Sequence, residues 1–342
     1  MKALVLREPC QAMIEEVAEP VRKRGEALLK VRRVGLCGSD LNSFRGRNPM
    51  VSFPRIPGHE VAATIVEIDS VDTELIAGMN VTLAPYTSCG QCASCRRGRN
   101  NACQFNQTLG VQRDGALTEY ICVPLERLYS ARLSLKELSM VEPLTVGFHA
   151  VSRGRIAEAD TVAVLGCGGV GLGAVAASAF RGATTIAVDL DEAKLAIARQ
   201  AGATHVVNGQ QQLREQLRAI TSDRGPDVII EAIGLPETFR FAVEEVAYSG
   251  RVAYIGYAKE PVSYETKFFV QKELDIMGTR NAQPEDFRSV IEMLEAKRFP
   301  VDAAVSHTVP FDEAPGILEQ WNAEPQRFSK IMIDLDSIQS GE

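Results

Sequence analysis

Residues 161–189 read TVAVLGCGGVGLGAVAASAFRGATTIAVD, and the reading of this stretch decides the fold. Thr161 to Leu165 is a short unbroken apolar run, as expected of a strand buried on both faces. Gly166-Cys167-Gly168-Gly169-Val170-Gly171 follows at once and fits G-x-G-x-x-G, with a small-residue helix predicted over 172–181 and a second strand over 185–188. In that setting Gly166 permits a tight turn, Gly168 lets a pyrophosphate approach the backbone, and Gly171 lets helix and strand pack closely. Gly169 and Val170 lie at the helix start, where free N–H groups and the positive dipole end suit phosphates. Asp189 closes the second strand, and a carboxylate there accepts both ribose hydroxyls of a dinucleotide and repels a 2′-phosphate. No arginine follows it in Leu190-Asp191-Glu192, so NAD is expected rather than NADP. Lys194 is a candidate for the same ribose, or a solvated helix lysine.

Downstream the alternation continues. Helices are predicted over 192–200, 213–221 and 239–246, and strands over 205–207, 227–232 and 251–255. Strand-helix alternation of this kind predicts a doubly wound parallel sheet with helices on both faces, an α/β fold. It stops near residue 281. An amphipathic helix over 284–297 and short strands ending at 330–333 follow, and this tail is expected to return to the first domain. Upstream, short β-like runs over 27–34, 61–68 and 80–84 are broken by glycine and proline, so the first domain reads as irregular and β-rich. The expected division is 149–280 for the nucleotide domain and 1–148 with 281–342 for the other.

The 342 residues, 45% hydrophobic, suffice for buried cores in one large or two medium domains. A net charge of -7 gives no basic footprint for nucleic acid, and Arg96-Arg97-Gly98-Arg99 reads as a solvated loop. No apolar run spans a bilayer, and the N-terminal run breaks at Arg7-Glu8-Pro9, so no membrane partner and a cytoplasmic setting are expected. Four of the eight cysteines, Cys89, Cys92, Cys95 and Cys103, form C-x2-C-x2-C-x7-C. Four thiolates at that spacing suit a closed tetrahedral zinc, a structural site in a lobe over 86–104. The iron–sulfur alternative usually adds C-x3-C-P, whereas Gln104 follows Cys103 here.

Three further clusters stand out: Cys37-Gly38-Ser39-Asp40, Gly58-His59-Glu60 and Glu142-Pro143-Leu144. Singly, Cys37 reads as a small buried hydrophobe, His59 as a core histidine and Glu142 as a helix cap or ion-pair partner. Together with the four-cysteine lobe and the glycine turn with Asp189, they resemble the zinc-containing medium-chain alcohol dehydrogenase family along the whole chain. The glutamate at 142 is similar to the sorbitol, threonine and sugar-acid branch. Phe44-Arg45-Gly46, Phe53-Pro54-Arg55 and Thr279-Arg280-Asn281-Ala282 resemble bacterial enzymes acting on hexonates such as L-galactonate.

The resemblance implies a GroES-like catalytic domain beside the Rossmann domain, two zinc ions per chain, NAD, and a homodimer or homotetramer. It places Cys37, His59 and Glu142 around a catalytic zinc, with Glu60 a direct ligand or one shell out. It gives Asp40 the free ring nitrogen of His59 and gives Ser39 the substrate proton. Many relatives carry histidine where this chain has Asn42; an amide cannot titrate near neutral pH, which leaves water or His149 as proton exits. Arg280 is the candidate for a substrate carboxylate, with pairing to Glu285 or Asp286 as the blander reading. Asn48 and Arg45 are lesser pocket candidates, and Lys330 is either near the cofactor or a surface lysine. The implied reaction oxidises a secondary alcohol of a polyol or sugar acid. The rivals are L-threonine 3-dehydrogenase activity, a non-catalytic NAD-binding sensor, and a metal-free reductase on the same fold.

Overall fold

The structure, a computed structural model, describes residues 1–69 and 73–338. In chain order the strands are β1 (Lys2–Glu8), β2 (Gln11–Glu16), β3 (Glu26–Leu36), β4 (Glu60–Ile68), β5 (Asn80–Leu83), β6 (Tyr120–Pro124), β7 (Leu128–Ser130), β8 (Thr161–Leu165), β9 (Thr184–Asp189), β10 (His205–Asn208), β11 (Val228–Glu231), β12 (Arg251–Tyr254), β13 (Asp275–Gly278), β14 (His307–Pro310) and β15 (Ile331–Asp334). Two compact units result, Pro143–Pro300 and Met1–Glu142 with Val301–Glu342. Among the described residues no helix is long and apolar enough to cross a membrane.

In the unit Pro143–Pro300 six parallel strands run in the order β10-β9-β8-β11-β12-β13. The apolar run Thr161–Leu165 is β8, flanked on both sides by strands, so its side chains have no polar face to serve. The order reverses direction between β8 and β11, which is the topological switch at which such sheets bind ligands beyond their carboxyl ends. Leu165, Ile186, Val188, Ile229 and Val252 fill the core here, each contributing about 1.5–3 kcal/mol by burial. The helix after β8 spans Gly169–Phe180, three residues earlier than the expected start, because Gly169 to Gly171 already belong to its first turn. A Cβ on Gly171 would sit 1.8 Å from the Gly166 carbonyl oxygen, so only glycine fits where the turn closes onto the helix.

The other unit is built on β3. Its eleven residues pair with β4, β6 and β15, all antiparallel, and the sheet order is β14-β15-β3-β4-β5-β7. The alternation Leu29, Val31 inward gives way to Val34-Gly35-Leu36, all buried, as the strand approaches the site. Leu4, Leu6, Phe44, Ile65, Phe311 and Trp321 complete this core. From Val301 on the chain belongs to this unit, and β15 pairs antiparallel with β3.

The boundaries differ from those read in the sequence. The first falls at 142/143, not 148/149, and the second at 300/301, not 280/281. The second difference has a clear cause. Helix Pro284–Glu295 buries Phe287, Val290, Met293 and Leu294, and its Asp286 lies 2.8 Å from Nδ1 of His149 in the same unit. Loss of strand-helix alternation marks the end of the sheet but not the end of the packing around it.

Candidate metal centres and dinucleotide site

The antiparallel ladder of β3 and β4 brings Cys37 and His59 together. Gly35 stands opposite Glu60 in register, so the residues just past the end of β3 meet those just before β4. Cys37 caps the helix Gly38–Phe44, and His59 precedes Glu60, the first residue of β4. One ligand atom from each of Cys37, His59 and Glu60 lies within 4.8 Å of the others, His59 and Glu60 being buried. Gly35 has a steric role here, since a Cβ would lie 2.1 Å from Glu60 Oε2.

Asp40 does not hold the imidazole as the family resemblance implied. Its Oδ1 accepts from the Gly58 N–H at 3.2 Å and its Oδ2 from the Cys37 N–H at 2.9 Å. The His59 Nδ1 is 3.8 Å away, beyond hydrogen-bond reach, and has no other partner. The carboxylate therefore ties together the two loops that carry Cys37 and His59. Ser39 is half-buried in the first turn of the same helix, and Asn42 one turn on.

Two residues that sequence reasoning underrated complete the cluster. Lys330, read as a surface or cofactor lysine, is buried; its Nζ donates to both Glu60 oxygens at 2.7 and 2.8 Å and to the Leu36 carbonyl at 3.2 Å. Its register explains this, because it precedes Ile331, which pairs with Leu36. Tyr86, unflagged by any motif, donates its buried hydroxyl to Glu142 Oε1. Burial, and then the neighbouring Glu142, push the Tyr86 phenol well above its usual range. Burial likewise raises the Glu142 carboxyl. For Lys330, burial works against the charge, but Glu60, Cys37 and Glu142 outweigh it and the ammonium is held more firmly than usual.

These residues fit a divalent cation. Two buried carboxylates face one buried ammonium, and a thiol and an imidazole supply soft donors of the kind zinc takes. The four-cysteine lobe fits as well. All four sulfurs lie within 4.8 Å of one another. The Cys92–Cys103 sulfurs are 3.9 Å apart; the edge of a zinc–thiolate tetrahedron is about 3.8 Å for bonds near 2.3 Å. Backbone N–H groups of Cys89, Cys92 and Phe105 point at sulfur, each at 3.3 Å, which favours thiolates.

The other unit holds the dinucleotide candidates. Helix Gly169–Phe180 has no side-chain cap, and a Cβ on Gly168 would meet nothing within 4 Å. Free N–H groups beside open space are what a pyrophosphate needs. Asp189 accepts from the N–H groups of Cys167, Leu190 and Asp191 at 2.7, 2.8 and 3.0 Å. An ionised carboxylate offers about four lone-pair sites, so capacity remains for a hydroxyl donor. Lys194 is half-buried one turn into the next helix.

The substrate candidates are dispersed. Asn48 Nδ2 donates to Ser43 Oγ at 3.2 Å in the loop after the Cys37 helix. Arg45 is committed elsewhere, to the Asn322 side chain at 2.7 Å and its carbonyl at 3.0 Å. Arg280 is exposed just beyond β13 in the second unit.

Comparison with known proteins agrees with this chemistry. Residues 23–132 match the alcohol dehydrogenase GroES-like domain, and residues 169–296 match the zinc-binding dehydrogenase domain. The L-galactonate-5-dehydrogenase of Escherichia coli strain K12 is 31% identical over 91% of this chain and 92% of its own. The sorbitol dehydrogenase of Bacillus subtilis is 36% identical over 81% of each chain. The crystal structure of an alcohol dehydrogenase from E. coli CFT073 complexed with NADH superposes with a TM-score of 0.90, at 27% identity, over 98% of this chain and 99% of that one. With both domain types matched and relatives aligned nearly end to end, the chain belongs to the zinc-containing medium-chain alcohol dehydrogenases, NAD-linked oxidoreductases that act on alcohols and polyols.

Proposed function

We propose that the protein oxidises a secondary hydroxyl of a sugar acid or related polyol with NAD, hexonates such as L-galactonate being the first substrates to try. The observation that carries this is the buried convergence of Cys37, His59 and Glu60, with Lys330 closing the cluster from behind. The 31% likeness to an L-galactonate-5-dehydrogenase supports the sugar-acid class.

Cys37, His59 and Glu142 would hold the catalytic zinc, with Glu60 a direct ligand or one shell out, and Cys89, Cys92, Cys95 and Cys103 would hold the structural one. When bound, the catalytic zinc supplies a Lewis acid for the carbinol oxygen and NAD supplies the hydride acceptor. The remaining work falls to the chain. Lys330 pairs with both Glu60 oxygens, so that this buried carboxyl group is held in place and opposed by an ammonium. Tyr86 orients Glu142 through one hydrogen bond. Ser39 Oγ would accept the carbinol proton as it passes its own hydroxyl proton on. Asn42 cannot take it further, and the Nδ1 of His149 is occupied by Asp286, which leaves water as the exit. Arg280 would pair with the substrate carboxylate, and Asn48 with a hydroxyl.

A rate screen tests the substrate class: alditols, aldonates and L-threonine, each with NAD, followed by the absorbance of reduced nicotinamide. Aldonates are expected to give the highest kcat/KM. Faster turnover of threonine would overturn the sugar-acid reading. Asp189→Ala tests the cofactor assignment. Loss of a charged hydrogen-bond acceptor should weaken NAD about tenfold to a hundredfold. NADP should lose far less, because its phosphate no longer meets a carboxylate. Loosening of the Cys167 turn would affect both nucleotides alike, so an unchanged NAD-to-NADP ratio counts against the ribose role.

A homo-oligomer is also proposed. Strand β13 is an edge of its sheet, and Val270 and Ile276 beside it are exposed, which suits pairing with a second copy. Four cysteines arranged for a metal rather than for disulfides suit a reducing compartment such as the cytoplasm.

A further inference from the structure

One buried polar cluster has no part in the chemistry above. Asp286 is buried in the first turn of helix Pro284–Glu295. Its Oδ2 accepts from the Gln283 N–H at 2.8 Å and lies 2.8 Å from Nδ1 of His149, which is also buried. Its Oδ1 accepts from Ser152 Oγ at 3.3 Å, and that hydroxyl accepts from an Arg181 guanidinium N–H at 2.8 Å. A carboxylate only accepts, so the His149 Nδ1 carries the proton. His149 and Ser152 stand three residues apart on one face of helix Val141–Arg153.

The network is larger than helix capping requires. The Asp286 carboxylate alone satisfies the Gln283 N–H. Burying the His149 imidazole in addition is unfavourable unless its hydrogen bond holds something in place. The backbone beside them shows what is held. Segment 279–283 is fastened at its start by Thr279, whose N–H and hydroxyl donate to the Tyr254 carbonyl at 3.0 and 3.1 Å. It is fastened at its end by Gln283 on Asp286. Between the two anchors Asn281 adopts φ +51°, a left-handed turn that relaxes readily in a free chain, and Ala282 is buried. Arg280 is carried on this short span.

We propose that His149 and Asp286 form a positioning latch that locks segment 279–283 and so fixes where the Arg280 guanidinium projects. The consequence for substrate rests on the sugar-acid reading above: a latched Arg280 discriminates acids from neutral polyols. His149 is then a positioning residue, separate from the residues proposed to touch zinc or the dinucleotide.

The test uses the full-length zinc-loaded enzyme and the variants His149→Phe, His149→Asn and Arg280→Met. Amide hydrogen exchange is read over 279–283. KM and kcat are measured for a hexonate and for the alditol of the same length. His149→Phe should speed exchange of these amides about tenfold and raise the hexonate KM about tenfold, with alditol kinetics within about twofold. His149→Asn, whose amide N–H can replace Nδ1–H, should restore much of both. Unchanged exchange in His149→Phe, or equal losses on both substrates, overturns the latch. Faster exchange together with an unaltered hexonate KM in Arg280→Met keeps the latch and removes only the carboxylate role. If hexonates prove not to be substrates, the exchange result alone decides.

Discussion

Cys37→Ser is expected to lower kcat/KM by about a thousandfold or more, because Lewis-acid stabilisation is worth several kcal/mol and each 1.4 kcal/mol is tenfold. A serine hydroxyl stays protonated at neutral pH and cannot give zinc the anionic donor a thiol gives. Metal analysis should fall from two zinc ions per chain to one, the remaining ion belonging to Cys89, Cys92, Cys95 and Cys103. NADH binding should persist, since the glycine turn at Gly166–Gly171 belongs to the other compact unit. Full turnover in the variant would remove Cys37 from the metal. Two ions retained with no turnover would mean that Cys37 acts on the substrate instead.

The second large effect concerns stability. Lys330→Met leaves the Glu60 carboxylate buried with no cation at its oxygens, and breaking such a pair costs about 3–5 kcal/mol. The chain has one tryptophan, Trp321, buried in the same unit as Lys330, so its fluorescence reports unfolding of the relevant unit. The denaturant midpoint should fall most in chelator-treated protein, where no zinc is present to share the stranded charge. The double variant Lys330→Met with Glu60→Leu should recover much of the loss, as replacing both partners removes the unpaired charge. A Lys330→Met protein as stable as the parent would show that the pair is solvated in solution.

What could be read ahead of the structure follows from how far each signal reaches along the chain. The glycine turn, the four-cysteine lobe and strand β8 are local: spacing and hydrophobic run lie within a few residues, and the same residues form the element. The Cys37–His59 cluster was legible only through its likeness to a family, since twenty-one intervening positions hide a β3–β4 register that no local pattern specifies. Lys330 and Tyr86 were misread or missed because their burial depends on partners far along the chain, Glu60 and Glu142. Asp40 was assigned to the right neighbourhood and the wrong atoms. A carboxylate offered two backbone N–H groups on adjacent loops takes those before an imidazole at 3.8 Å. The 300/301 boundary escaped because helix Pro284–Glu295 lacks a following strand, although its apolar face packs like the helices before it.

The position of β15 has a bearing on biosynthesis. A ribosome releases β3 some three hundred residues before β15, yet the two strands are direct neighbours. During translation the nascent sheet waits with β3 open on that side while the entire dinucleotide unit emerges and folds. Glu60 spends the same interval without its ammonium. The cluster around Cys37, His59 and Glu60 thus matures only after the last strand has docked, and a product of premature termination would carry these three residues without the ammonium of Lys330.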